Sequence, residues 1–258
     1  MDVKELPPDV PPAGVRTDEA TQEIPAGRPS SGVSPWGSLL TIFTKPRATF
    51  EALAPRPVFG VALAVVLVFQ LLAVFVAFQS GAIRNDAVAK TEQALEKRGL
   101  DPAAIAGQVE ETENFFNKPI AGVFVVTGGV LGFAFFLLVG AGLLYFMANL
   151  MFGAKLRFAH YLCAVVYGSV IGTVDQAVRV GLAYQNGTLD VRLGIGALFG
   201  EEAGFLARAL DALTDPLHLW ALGVTALGVS VFARKGFGFG VLALVPGILL
   251  GVLFAGMQ

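Results

Sequence analysis

Charge is what this chain has least of. Only 15% of its 258 residues are Asp, Glu, Lys or Arg, against about 25% in an ordinary soluble domain. Eighteen basic and twenty acidic residues leave a net charge of -2, so there is no polybasic field for nucleic acid. A single cysteine, Cys163, excludes an intrachain disulfide and a thiolate-only metal cluster. It lies in an apolar stretch and reads as a small core hydrophobe rather than a reactive thiol. There are two histidines, His160 and His218, which begin different apolar runs and read as interfacial or core residues, not metal ligands. No GxSxG, HExxH, CxxC or Walker pattern occurs, and GFGFG at 236–240 lacks the Lys-Ser/Thr end of a phosphate loop. With no acid, base, nucleophile or metal constellation, an intramembrane enzyme is the least favoured class and no cofactor is implied.

Apolar residues fill the space that charge leaves. The chain is 55% hydrophobic, with 21 Phe, 31 Gly and a mean hydropathy of +0.68. These values predict an all-α polytopic membrane helical bundle of about five transmembrane helices with a disordered N-terminal tail. Residues 1–35 hold seven of the fourteen prolines. Such a segment buries too little apolar surface to offset its ordering entropy, and it has no apolar h-region of a signal peptide. The first apolar run therefore reads as an uncleaved anchor.

The membrane domain is expected over 36–257, with spans at 57–79, 121–150, 158–182, 216–233 and 237–257. The charge-free interval 119–154 would make a helix of about 54 Å, too long for one upright crossing of a roughly 30 Å core, so one tilted or protruding span is expected there. Residues 36–56 are amphipathic and break at Lys45-Pro46, which suits two short helices at the membrane interface. The polar loop 80–118 predicts two short helices with an Asp86–Lys90 pair, a stop at Gly99 and a cap at Asp101 before Pro102. Residues 184–215 predict an interfacial helix after Glu201–Glu202, with a re-entrant segment as the alternative.

Orientation follows from Lys and Arg near the span ends. Lys45, Arg47 and Arg56, then Lys155 and Arg157, then Arg234 and Lys235 fall on one side, the last two pairs in short loops. Arg84, Lys90, Lys97, Arg98, Lys118, Arg192 and Arg208 fall on the other, in longer and more acidic loops. This predicts a cytoplasmic N-terminus and an outside C-terminus.

Asp175 and Arg179 are the ionic residues most in need of explanation. Four apart, they share a helical face and can pair. One reading is a polar site inside the bundle, lining a substrate or ion path. The other, preferred because the span can finish by Asp175, is a pair near the outer helix end with Arg179 snorkelling to headgroups. The clusters Glu110, Glu111, Glu113 and Glu201–Glu202 read as solvated faces. Small-xxx-small spacings at Gly128/Gly132, Gly168/Gly172, Gly236/Gly240 and Gly247/Gly251/Ala255 predict close helix packing within the chain, with a homo-oligomer face as runner-up.

Three stretches carry a family resemblance. LLTIFTKPRATFEALAPRP (39–57), NLMFGAKLRFAHYLCAVVYGSV (149–170) and DPLHLWALGVTALGVSVFARKGFG (215–238) resemble the first-span approach, the second-to-third-span junction and the fourth span of the Yip (Ypt-interacting protein) domain in its bacterial branch. The resemblance implies five spans, a cytoplasmic N-terminal region and a bacterial cytoplasmic membrane. Eukaryotic relatives associate with Rab-type GTPases, but the Asp-Leu-Tyr-Gly-Pro signature of that branch is absent here. Asp175 and Arg179 also fall where an apolar stretch is expected, so GTPase binding is not carried over. The function expected is a non-enzymatic membrane scaffold in contact with the lipid bilayer, its protein partner held by loop 80–118 or the tail. The alternative is a small transporter or channel subunit using Asp175 and Arg179.

Overall fold

The computed structural model describes residues 34–199 and 204–257, with side chains as far as Phe254. All but the last two residues of the expected 1–35 tail, and the Glu201–Glu202 pair, lie outside the described residues. Among those described there are ten α-helices and no strand: α1 (Pro35–Thr44), α2 (Pro46–Leu53), α3 (Gly60–Gln79), α4 (Ala82–Lys97), α5 (Pro102–Phe116), α6 (Pro119–Tyr145), α7 (Phe158–Asn186), α8 (Gly204–Thr214), α9 (Pro216–Ala233) and α10 (Phe237–Met257). Proline opens α1, α2, α5, α6 and α9. At the first helical position its fixed φ fits the helix and its missing N–H costs no bond. Gly99 (φ +71°) and Gly187 (φ +67°) follow α4 and α7 in the left-handed conformation that L side chains resist.

Five helices have the length and apolarity to cross a membrane: α3, α6 with its continuation, α7, α9 and α10. A π-helical turn, Phe146–Met151, extends α6 into a 33-residue unit. At 1.5 Å per residue this is about 50 Å, longer than a roughly 30 Å hydrocarbon core. The α7 helix runs on to Asn186, beyond the expected end at 182.

The α7 helix is the core of the bundle. Tyr161, Cys163, Ala164, Val166, Tyr167 and Ile171 on it are buried among α1, α2, α3, α6 and α9. The 36–56 segment is more than an interfacial skirt. Its inner face carries Ile42 and Phe50, both fully buried, and the Phe50 ring stands edge-on to Tyr167 and Phe232. Room for that ring comes from Gly228, where a Cβ would sit 2.7 Å from Phe50 Cζ. The outer face leaves Trp36 and Leu40 exposed, so amphipathicity here serves core and bilayer together.

Asn149 closes the junction between α6 and α7. Its Nδ2 donates to the Leu156 carbonyl at 2.7 Å, and its Oδ1 accepts from Leu156 N at 3.0 Å and from the buried Tyr161 hydroxyl at 2.6 Å. Asn149→Leu strands these groups, and unpaired buried polar groups cost about 1–3 kcal/mol each. Chemical unfolding in detergent is expected to show a loss of that order, with Tyr161→Phe costing less because it removes one bond.

The 80–118 loop forms a hairpin of α4 and α5. Lys90 Nζ pairs with Asp86 Oδ2 at 2.9 Å. Asp101 is a correction: it precedes Pro102 as expected, but its side chain makes no capping bond. Asp215 before Pro216 does cap, accepting from Leu217 N at 2.9 Å and His218 N at 3.3 Å.

Candidate functional site

Arg179 stands at the centre of a charged cluster drawn from four parts of the chain. Its Nε donates to Asp175 Oδ1 at 2.9 Å, one turn back on α7. Its Nη1 donates to the Val191 carbonyl at 2.6 Å. Its Nη2 pairs with Asp215 Oδ2 at the start of α9 and lies 3.8 Å from Asp211 Oδ2 on α8. The Asp215 side chain is fully buried, and those of Asp211 and Asp175 are 9% and 15% exposed. One guanidinium thus serves three carboxylates.

The depth of this cluster follows from its neighbour. Gln176 Nε2 donates to Gln70 Oε1 at 2.8 Å, and Gln70 lies near the middle of α3. Asp175 is therefore close to the mid-level of α3, and α7 continues seven residues past Arg179.

A short segment packs against the cluster. Residues 187–194 lead without regular structure into a single 3₁₀ turn, Ile195–Leu198. Gly194 N donates to Asp211 Oδ1 at 2.6 Å, and Ile195 N donates to Thr214 Oγ1 at 2.8 Å. This closeness needs glycine: a Cβ on Gly194 would stand 2.7 Å from the Asp211 carbonyl, and one on Gly196 would stand 2.6 Å from Asp211 Cβ. Asp211 therefore ties this segment to α8 while it neighbours Arg179.

Beside the cluster is a cavity of about 750 Å³ between α6, α7, α9 and α10. Asp175, Arg179, Arg208, Asp211 and His218 line its polar end, and Phe133, Leu144, Leu222, Leu244 and Ile248 line its apolar depth. Three carboxylates on one guanidinium leave an excess of negative charge, which would be costly in hydrocarbon. Asp175 and Asp211 of this set line the cavity.

The eight glycines singled out by spacing fall in different settings: a Cβ on Gly240 would collide with the Ala226 carbonyl of α9, and one on Gly236 would meet nothing within 4 Å. Gly168 lies at a close crossing, where a Cβ would come 3.1 Å from the Ala221 carbonyl. At Gly128, Gly132, Gly172, Gly247 and Gly251 a Cβ would meet nothing within 4 Å. Gly172, Gly247 and Gly251 line the cavity instead. The close approach on α6 comes one residue later, at Gly129 against Val74. Asp211, Asp215 and Arg208 are site residues that spacing did not reveal. The signal for Asp215 is its place directly before the proline that opens α9.

Among the described residues no group of three His, Cys, Asp or Glu could hold a metal ion. His160 is remote from the cluster, with its ring edge-on to Phe232.

Five apolar helices around this buried polar centre define a multi-pass integral membrane protein in contact with the lipid bilayer. The sequence model of the Yip1 domain matches residues 40–257, so the chain belongs to the Yip1 domain family. No curated protein and no solved structure matches it.

Proposed function

We propose that this protein is a non-enzymatic membrane organiser of Yip1 type that holds a protein partner through its α4–α5 hairpin. One observation carries the reading. The hairpin is barely used by the fold: α5 buries none of its residues and α4 buries only Ala82. Between the two helices runs an open groove of about 650 Å³, with Leu100, Ile105 and Val109 beside Glu92, Glu96 and Glu113. An apolar floor with an acidic rim complements a segment that presents basic residues beside apolar ones. A photo-crosslinker at Ile105 in native membranes is expected to capture one partner. Glu92→Lys with Glu96→Lys is expected to lower that yield at least tenfold at equal protein abundance. Undiminished capture by the charge-reversed protein would remove the reading.

The domain is taken as 36–257 after a cytoplasmic tail, in a bacterial cytoplasmic membrane with the C-terminus outside. Backbone geometry supports this orientation. Lys155 (φ +55°) and Arg234 (φ +53°) are the two non-glycine residues with positive φ among those described. Both stand in short turns where glycine would avoid about 1–2 kcal/mol of strain. Keeping bases there is what selection for cytoplasmic positive charge would do. Arg234→Gly is accordingly expected to raise unfolding stability in detergent by about 1 kcal/mol while lowering the fraction inserted in the proper orientation. Loss of stability would show that the arginine serves packing instead.

A transporter reading is favoured by the placement of Asp175 and Arg179 on the cavity wall. Flux in liposomes that disappears in Asp175→Asn would put it ahead of the organiser.

A further inference from the structure

We infer that the cavity beside Arg179 binds one phospholipid molecule whose headgroup carries both a phosphate and an ammonium, a phosphoethanolamine lipid. This goes beyond the organiser reading and does not depend on it.

The size and lining fit an amphiphile. At about 750 Å³ the space falls within the roughly 300–1,000 Å³ of small-molecule sites. One end is charged and the other apolar, as a headgroup followed by an acyl chain requires. The apolar part is kept open by Gly172, Gly247 and Gly251, whose missing side chains leave space that no neighbour fills. Packed membrane interiors use glycine to bring helices together; these three do not, and open space is what they provide.

The lipid-facing wall of the cavity is formed by two aromatic rings. Phe136 on α6 and Phe254 on α10 line the cavity and are 59% and 44% exposed on the bundle surface. The two rings stand edge-on with centroids 6.4 Å apart, so an acyl chain passing between α6 and α10 would turn them aside. A second acyl chain can remain in the membrane while the first lies inside.

The charges select the headgroup. Two pairs at the polar end are already neutral, Lys90 with Asp86 and Arg192 with Asp190. Arg208 is half-buried, lines the cavity and has no ion-pair partner among the described residues. It is the cation open to a phosphate. One turn further along α8, Asp211 shares Arg179 with Asp175 and Asp215. Asp175 and Asp211 line the cavity, and their excess negative charge favours an ammonium placed beside them. A purely anionic headgroup would meet Arg208 but also the surplus aspartates, and it would bind less well.

Native mass spectrometry of the full chain, purified in detergent and stripped of lipid, gives the test. The probes are phosphatidylethanolamine and phosphatidylglycerol with the same acyl chains. One phosphatidylethanolamine per chain is expected, bound at least tenfold more tightly than phosphatidylglycerol. Gly247→Leu fills the apolar part and Arg208→Gln removes the phosphate partner; each is expected to weaken binding at least tenfold. Circular dichroism and the unfolding midpoint report whether each variant is folded, and either folded variant suffices. Equal binding of both lipids, or undiminished phosphatidylethanolamine binding in a folded variant, would overturn the inference and leave surface lipid only. Lipid binding by a protein that captures no partner at Ile105, or whose capture is undiminished by Glu92→Lys with Glu96→Lys, would count against the organiser and not against this site.

Discussion

Replacing Arg179 by Met should nearly abolish the folded protein. The guanidinium is the shared partner of Asp175, Asp211 and Asp215, and all three carboxylates are largely buried. Removing one partner of a buried ionic set leaves uncompensated charge, at a cost of about 3–5 kcal/mol. That lowers the folding constant by roughly two to four orders of magnitude. In detergent, Arg179→Met should yield little monodisperse protein, with a sharply lower unfolding midpoint in what remains. Arg179→Lys should fall between the two, because an ammonium keeps the charge but not the planar fork that reaches Asp175, Val191 and Asp215 at once. Adding Asp211→Asn to Arg179→Met should recover part of the loss by removing one stranded charge. No recovery, together with a mild effect of Arg179→Met alone, would mean that the carboxylates are held by water and not by the arginine.

The next largest effect is expected at Gly240. The α9 and α10 helices meet there so closely that a Cβ would collide with the Ala226 carbonyl. Gly240 N donates to Ser230 Oγ at 3.1 Å, and that hydroxyl donates back to the Ala226 carbonyl at 2.8 Å. In a bilayer, helices associate through close packing and such bonds, because lipid tails are as apolar as the helices themselves. Gly240→Val should therefore push α10 outward and cost at least the about 1–3 kcal/mol typical of overpacking. Gly238→Val, two residues away with nothing within 4 Å of its Cβ, should be nearly neutral. A difference below experimental error between the two would show that α10 is not held at this crossing.

How much could be read in advance depended on the kind of signal. Span positions are written in composition, since hydrocarbon excludes charge: α9 and α10 run over the expected 216–233 and 237–257. Local chemistry was equally readable. The Asp86–Lys90 pair is set by helical spacing, and the break at Lys45-Pro46 by a residue that cannot donate. What local pattern does not contain is which residues from distant segments converge. Asp175 and Arg179 are visible as a pair, but Asp211 and Asp215 join them only because α8 and the 187–198 segment fold back over α7. Glycine spacing gave eight candidates, of which Gly168 and Gly240 lie at close crossings, yet a register of one residue decides whether a glycine meets a neighbour. Gly129 meets Val74 while Gly128 meets nothing. The buried inner face of 36–56 was hidden for a related reason. An amphipathic helix states that it has an apolar side, not whether lipid or protein covers it.

Five crossings are expected to put the basic turns and the α4–α5 hairpin on opposite sides of the membrane. Cys163 is fully buried, so the natural chain supplies an unlabelled background for single introduced cysteines. Lys155→Cys and Glu113→Cys, treated in intact cells with a membrane-impermeant maleimide, test the claim directly. Position 113 should label at once and position 155 only after the membrane is opened. Labelling of both from the same side would contradict the five-span arrangement.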